Sequence, residues 1–311
     1  MQSYPLVSVI IPNYNHARFL DARIQSVLDQ EYPNFEVIIL DDNSIDNSLE
    51  IISKYKNHSR VREILVNKEN SGSPFIQWGK GIQLAKGHYI WIAESDDYCE
   101  KSFLIKLVDL CVRNDLAYAF CRSKTIGMNN EEIPNHWQHG LKESFVMRGS
   151  DFIDKYLAYS CVVLNASSAI FSREIALEVS PDYQTYRGAG DWLFWLQMAN
   201  KGKVAYLHEK LNSCRFHQTN TTASENKNGN SFFEIKKVYD SILRQKIISR
   251  RLYDIVKYKT LYALYYGNYG NGNLDTEQKK RLMKEWGYNK FDAIPLFLKK
   301  CSIFIKYRFL S

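Results

Sequence analysis

Four short strand-like runs constrain this chain more than any other feature: Leu6–Ile11, Phe35–Leu40, Val61–Val66 and Gly87–Ala93. Runs of this length, rich in apolar residues, read as buried strands. Between them the apolar residues return at helical spacing. Ala17–Gln30 carries Phe19, Leu20, Ile24, Val27 and Leu28, and the next segment carries Leu49, Ile51 and Ile52. Gln77–Lys86 completes the alternation. Strands alternating with helices mean βαβ units and a parallel sheet. The expected fold class is α/β, with a Rossmann-like, mostly parallel sheet flanked by helices.

Two of the four runs end in acids. Asp41-Asp42 closes the second, and Glu94-Ser95-Asp96-Asp97 closes the fourth. In an open α/β sheet the ligand crevice lies outside the carboxyl ends of the strands, so both groups belong to one rim. Clustered carboxylates there suit Mg²⁺ or Mn²⁺, which is typically held by one or two carboxylates plus substrate phosphates. A solvated turn capping the next helix is the plain alternative. No G-x-G-x-x-G follows the first strand and no P-loop lysine motif is present. That argues against a dinucleotide oxidoreductase and favours phosphate held through a metal.

Further along, Lys101–Arg113 reads as a helix and Ala117–Cys121 as a strand, while Met128–Glu143 is polar and loop-like. Gly149–Tyr159 suggests a helix, Val162–Phe171 a strand and Val204–Leu207 a short strand. Gly190–Lys201 reads as an aromatic-rich helix whose Trp192 and Trp195 fit packing better than a sugar platform. Thr219–Ser231 has the composition of a linker. Helical patterns follow from Phe232 to about Tyr266 and over the last forty residues, separated by a turn-rich break at Gly267–Gly272. The domain expectation is a catalytic unit over residues 1–225 and a basic, aromatic-rich helical region over 226–311.

The charge is uneven. From Phe232 onward there are 17 Lys and Arg against 7 Asp and Glu, although the whole chain is only +7. Phe291–Leu310 drawn as a helix places Lys299, Ser302 and Lys306 on one face and Phe297, Cys301, Phe304 and Ile305 on another. Such a helix can lie on an anionic membrane, or pack on its own domain or a second subunit. No run of eighteen apolar residues and no signal-peptide pattern occurs. The expected location is cytoplasmic, with peripheral contact to the inner membrane face through that helix. The six scattered cysteines form no C-x-x-C pair, and the expectation is reduced thiols without a zinc site.

Three segments, V-S-V-I-I-P-N-Y-N at Val7–Asn15, I-L-D-D-N-S-I-D-N-S at Ile39–Ser48 and Gly87–Asp97, resemble family 2 glycosyltransferases of the GT-A fold. D-W-L-F-W-L at Asp191–Leu196 and R-F-H at Arg215–His217 resemble later motifs of that family. The five occur in the family's order over roughly residues 5 to 222.

The resemblance implies an inverting transferase of the bacterial surface-polysaccharide type, with a nucleotide-sugar donor, in that family most often a UDP-sugar. It implies donor contacts from Pro12, Asn13, Tyr14 and Asn15, a base contact from Asp41 and a pocket wall from Asp42. Glu94, Ser95 and Asp96 occupy the family's Asp-x-Asp signature, with Glu94 where Asp is commoner. Asp96 would hold the Mn²⁺ or Mg²⁺, His217 would approach the metal or diphosphate, and Lys80 would contact phosphate. Either of His217 and Asp191 also has a simpler reading, as a surface histidine and a helix cap.

Inverting transfer needs a base for the acceptor hydroxyl, and Asp191 is the candidate. The implied partners are the donor and a glycan or lipid-linked saccharide acceptor, with no nucleic acid. A metal-dependent nucleotidyltransferase or phosphohydrolase is the competing enzyme class. A module binding anionic surfaces would explain the basic tail but not the acids.

Overall fold

The computed structural model describes residues 4–134, 140–216, 225, 229–265 and 274–288. The chain divides into two compact units, residues 1–217 and 218–311.

The first unit is built on one sheet. Its opening strands are β1 (Val7–Asn13), β2 (Phe35–Asp41), β3 (Val61–Val66) and β4 (Tyr89–Ile92), and its later ones are β5 (Tyr98–Cys99), β6 (Leu116–Ile126), β7 (Phe145–Arg148), β8 (Ala169–Ser172) and β9 (Lys203–Arg215). Their order is β3-β2-β1-β4-β8-β6-β9-β5, with β7 also on β9. The first four are mutually parallel. Beyond β4 the sheet is mixed: β8 is antiparallel to β4 and β6, whereas β9 runs parallel to β6.

Every residue of β1 is buried, as a strand covered on both faces requires. On one face α1 (Ala17–Leu28) inserts Leu20, Ile24 and Val27, one apolar stripe at helical spacing. Helix α2 (Ser48–Ser53) adds Ile52 and α4 (Phe103–Asn114) adds Leu104, Leu107 and Cys111. Trp91 from β4 stacks on Phe103 with ring centres 4.5 Å apart. On the other face lies α3 (Pro74–Leu84), started by Ser73, whose hydroxyl accepts from Phe75 N, and by Pro74 at its first position.

A short helix α5 (Gly149–Phe152) continues into a π-helical turn at Ile153–Leu157. Helix α6 (Arg173–Glu178) follows β8. Helix α7 (Gly190–Ala199) is buried almost all round: Trp195 packs on Tyr118 and Phe171, and Phe194 on Trp78 and Phe171.

Two expectations change, and one strand is new. Val162–Phe171 is no continuous strand. It is a strap ending in a 3₁₀ turn at Ala166–Ser168, and only then does β8 begin. The turn delivers Ser167 to the acidic segment, a task an extended backbone would not perform. The short strand at Val204–Leu207 is the start of the thirteen-residue β9, whose polar second half pairs with β6 and β5. Phe145–Arg148, inside no earlier assignment, forms an edge on β9.

The second unit contains α8 (Asn230–Arg244), α9 (Arg250–Tyr265) and α10 (Thr276–Glu285). Val238, Ile242, Leu261, Leu282 and Trp286 are buried in it. Asp275 and Gln278 form a reciprocal capping box at the start of α10. Phe291–Leu310 lies outside the described residues, as does the break at Gly267–Gly272. Among the described residues no helix is long and apolar enough to cross a membrane.

Gly87 marks where β4 is fitted against β1. A Cβ there would lie 2.6 Å from Ser8 N and 2.7 Å from Leu6 O, both backbone atoms that cannot swing away. Gly87→Ala should therefore lower stability by about 1–3 kcal/mol, the usual cost of forced overpacking. Urea unfolding monitored by tryptophan fluorescence would measure it; an unchanged midpoint would contradict this account.

Candidate active site

The strand order steps outward from β1 to β3 and then returns to place β4 on the other side of β1. That reversal is a topological switch point, where doubly wound sheets open a crevice. Asn13 at the end of β1 is in register with Asp41 at the end of β2. The segment after β4 begins one residue beyond Ile92, the partner of Ile10. The two acidic groups therefore do reach one rim.

On the β1–β2 side the carboxylates are built into the walls. Asp41 Oδ2 accepts from Asn13 Nδ2 at 2.7 Å and from the Ser44 hydroxyl at 2.7 Å, and its Oδ1 accepts from Ser44 N. Asp42 accepts from Asn67, from Gln77 and from both the backbone and hydroxyl of Ser71. Lys80 Nζ donates to Asn67 Oδ1 at 2.6 Å, which sets Lys80 beside the Asp42 pocket. Asn15 adopts a left-handed conformation, φ 56°; its backbone N–H donates to the Ser44 hydroxyl and its side-chain Oδ1 accepts from Ile45 N. Asp46 accepts from Ala17 N, so the second strand's loop caps α1. Pro12 is inside β1 and Tyr14 is exposed.

Across the crevice, Ser95 Oγ lies 2.8 Å from His16 Nδ1. This contact joins the loop after β1 to the acidic segment. Glu94 accepts from the Trp78 indole N–H at 2.9 Å, and its own N–H is held by the Ser167 hydroxyl. Desolvation, reinforced by the neighbouring Asp96, pushes the Glu94 carboxyl up to about 8. Asp97 is buried, and its oxygens take Asn165 Nδ2 at 2.5 Å and Arg215 N at 2.8 Å. Burial and the Asp96 charge raise it too, against the pull of Arg23.

Arg23 is fully buried on the core side of α1. Its Nε donates to Glu94 O at 2.8 Å, its Nη2 stands 3.9 Å from Asp97 Oδ2, and its guanidinium lies over the Trp91 ring. Arg215 grips the same segment from the end of β9. Its Nε donates to Asp96 O, its Nη1 to Gly127 O and its Nη2 to Asn130, while its face covers Phe19 at 4.4 Å. The R-F-H motif thus acts first as an anchor for the acidic turn. His217 itself lies outside the described residues.

Asp191 is the second residue of α7, whose cap position is Ala189. It is therefore not the helix cap, although its Oδ1 accepts from the adjacent Trp192 N at 2.7 Å. Phe194 is one turn along on the same face. It packs edge-on against Trp78, the residue bonded to Glu94. The strap 161–165 makes a second connection. Cys161 Sγ lies 3.9 Å from Asp191 Oδ2, and Asn165 four residues on is bonded to Asp97. Asp191 and the acidic segment are thus held by the same few elements.

The likeness to known proteins follows this architecture. The model of glycosyl transferase family 2 matches residues 8–179. The chain belongs to this family. Over 228 residues it is 26% identical to a protein of Bacillus subtilis (strain 168) named as a putative teichuronic acid biosynthesis glycosyltransferase, TuaG. The match spans 72% of this chain and 83% of that one. Among solved structures, S. aureus TarS 1-349 in complex with UDP-GlcNAc superposes with a TM-score of 0.68, at 18% identity over 90% of this chain and 79% of that one. The mannosyltransferase PcManGT from Pyrobaculum calidifontis, in complex with GDP-Man and Mn²⁺, gives 0.56 at 15% identity, covering 99% and 83%. The fold is GT-A, and the chain is a glycosyltransferase.

Arg23, Asn165, Ser167 and His16 carried no sequence signal of their own. Arg23 occupies an apolar-face position of α1, and a charge there was the one available hint. Replacing it by methionine leaves the buried Asp97 and the Glu94 carbonyl without their cation. Arg23→Met should cost about 3–5 kcal/mol, as when one partner of a buried pair is removed. Chemical denaturation of both proteins tests this, and a loss under 1 kcal/mol would show the arginine to be dispensable.

Proposed function

We propose that this chain is an inverting glycosyltransferase that moves a sugar from a UDP-sugar to a hydroxyl of a glycan or lipid-linked glycan acceptor in surface-polysaccharide synthesis. The observation that carries the reading is the joint tethering of Asp191 and the Glu94–Asp97 turn by Trp78–Phe194 and by the strap 161–165. One carboxylate is thereby held at a fixed place beside a charged rim at the switch point of the sheet. Support for UDP comes from TarS, and support for a polysaccharide product from TuaG.

The proposed course is a single displacement. Pro12, Asn13, Tyr14 and Asn15 border the nucleoside, and Asp41 and Asp42 form the rigid wall against which the base rests. Lys80 faces the phosphates. Asp191 takes the proton of the acceptor hydroxyl as its oxygen bonds to the anomeric carbon. The bond from that carbon to the diphosphate oxygen breaks on the opposite face. UDP leaves with the bonding electron pair, and the configuration inverts. One base suffices because the departing diphosphate, unlike the alcohol released in glycoside hydrolysis, needs no proton.

The residues present fit a divalent cation. Among the described residues no group of three or more His, Cys, Asp and Glu could hold a metal by itself. Burial first, and then the charge of Asp96, raises the carboxyls of both Glu94 and Asp97, so a cation held at Asp96 would offset part of the charge gathered there. Oxygen donors with a diphosphate completing the shell suit Mn²⁺ or Mg²⁺. Asp96 would hold it, with His217 as the second candidate. Such an ion, when bound, neutralises charge on the leaving group.

Two outcomes are expected. Asp96→Ala loses cation-dependent UDP binding in calorimetry, and excess EDTA stops transfer by the unaltered protein. Full turnover in EDTA would remove the cation from the scheme. Asp191→Asn keeps UDP affinity but lowers turnover roughly 10²–10⁴-fold, the range for a lost general base. Proton NMR of the product should show the anomeric configuration opposite to the donor's. Retention would exclude the single displacement.

A further inference from the structure

The loop 67–73, between β3 and α3, is shaped around Asp42. Asn67 Nδ2, Ser71 N and the Ser71 hydroxyl donate to its carboxylate, and Asn70 Nδ2 donates to its carbonyl oxygen at 3.0 Å. Gln77 Nε2 is a further donor to the carboxylate, and together these fill the capacity of its two oxygens. Gly72 follows Ser71 in the left-handed region, φ 76°, which glycine enters without steric cost. The chain turns back there, and Ser73 caps α3.

The segment that leads to Asp191 is seated on this loop. Ser73 Oγ donates to Tyr186 O at 2.7 Å, and both residues are buried. At the other end of the segment, a Cβ on Gly190 would come within 2.5 Å of Phe75 Cδ2. The backbone at 190 therefore lies directly on the first turn of α3. Arg187 is exposed between these two anchors. Its side chain reaches back over the loop, and its Nη2 is 3.4 Å from the place a Cβ on Gly72 would take. The guanidinium thus stands beside the neighbour of Ser71, at the Asp42 wall, while its own backbone lies four residues before Asp191.

Asp42 is already supplied with donors, so hydrogen bonding at the wall does not call for this cation. Its place is between two parts of the proposed site, the wall for the nucleoside and the base for the acceptor. In a nucleotide-sugar the group between the nucleoside and the transferred sugar is the diphosphate, which is anionic. A guanidinium presents its N–H groups in a fixed fork that fits phosphate oxygens. Lys80 touches the opposite end of the same loop, where its Nζ donates to Asn67 Oδ1.

We infer that Arg187 is a donor-binding residue whose guanidinium takes oxygens of the donor's diphosphate. The inference rests on the transferase reading and adds a contact to it. That contact belongs to the loop carrying the base, so a bound diphosphate and Asp191 are held by one short segment. Loss of the guanidinium weakens the hold on the charged part of the donor and leaves the nucleoside's own contacts in place.

The test is calorimetry on the full-length protein with Mn²⁺ present. The probes are UDP and uridine, the latter measured by competition against UDP. The unaltered protein should bind UDP more tightly than uridine. Arg187→Gln should weaken UDP about tenfold, the worth of one charge-assisted hydrogen bond, and leave uridine unchanged. Misfolding cannot imitate a fall in the ratio of the two affinities. Arg187→Lys keeps the charge without the fork and should fall between the two proteins. Arg113→Gln, whose partner is Asp109 on α4, should match the unaltered protein. An equal loss for UDP and uridine would make Arg187 part of the wall alone, and an unchanged UDP affinity would remove it from the site. Either result overturns the inference, while UDP binding by the unaltered protein leaves the transferase reading standing. Absence of that binding removes both.

Discussion

Asp97, a carboxylate with 4% of its surface exposed, ties together segments of this protein that lie far apart in the chain. Through it the turn after β4 meets Arg23 from α1, Asn165 from the strap and the backbone of Arg215 from the end of β9. These partners are separated by up to 192 residues of chain, from Arg23 to Arg215. A buried charge is tolerable only when paired and hydrogen-bonded. The requirement to satisfy this one therefore fixes where three other segments stop. Asp96 and Glu94, one and three residues before it, are then presented at the rim in one geometry. The carboxyls that face the crevice owe their placement to the one that does not.

The aromatic layer on the opposite face does the same work for α7. A helix buried nearly all round has no polar face to orient it, so its rotation is set by the rings it meets. Phe194 against Trp78 and Phe171, and Trp195 against Tyr118 and Phe171, leave Asp191 at the one end of the helix that reaches the strap. Trp78 joins both halves of the site, because its ring packs on α7 while its N–H holds Glu94. Trp192 and Trp195 were read as packing, and both are buried.

Legibility in the sequence follows how local each signal is. β1, β2, α1 and β4 are contiguous runs whose period reports burial directly, and the acids at their ends declared the rim. The mixed half was harder. β9 alternates little after Leu207 because Asn212 and Ser213 are buried for their hydrogen bonds; periodicity of apolar residues cannot see such a strand. The 3₁₀ turn at Ala166–Ser168 reads as extended chain in the sequence because its small residues fit either state. Arg23 stands on the apolar face of α1, but nothing local shows that a carboxylate over seventy residues away will meet it. Asp41 and Asp42 were legible as acids of the site. That each is already filled with protein hydrogen bonds was not, as those partners are scattered from Asn13 to Gln77.

That saturation separates the two halves of the sheet physically. In the parallel half the carboxylates are held by several donors each, so they act as fixed walls that need no rearrangement when a ligand arrives. Preorganisation of this kind strengthens binding by avoiding the cost of ordering side chains. In the mixed half, β6 and β9 meet with register irregularities, and irregular pairing re-aims side chains without disturbing the core. The loop 127–134 beside them is bonded to Arg18, to Lys210 and to Arg215. Because the partners of Asp41 and Asp42 all lie within the parallel half, the irregular pairing of β6 and β9 can re-aim side chains without loosening those walls.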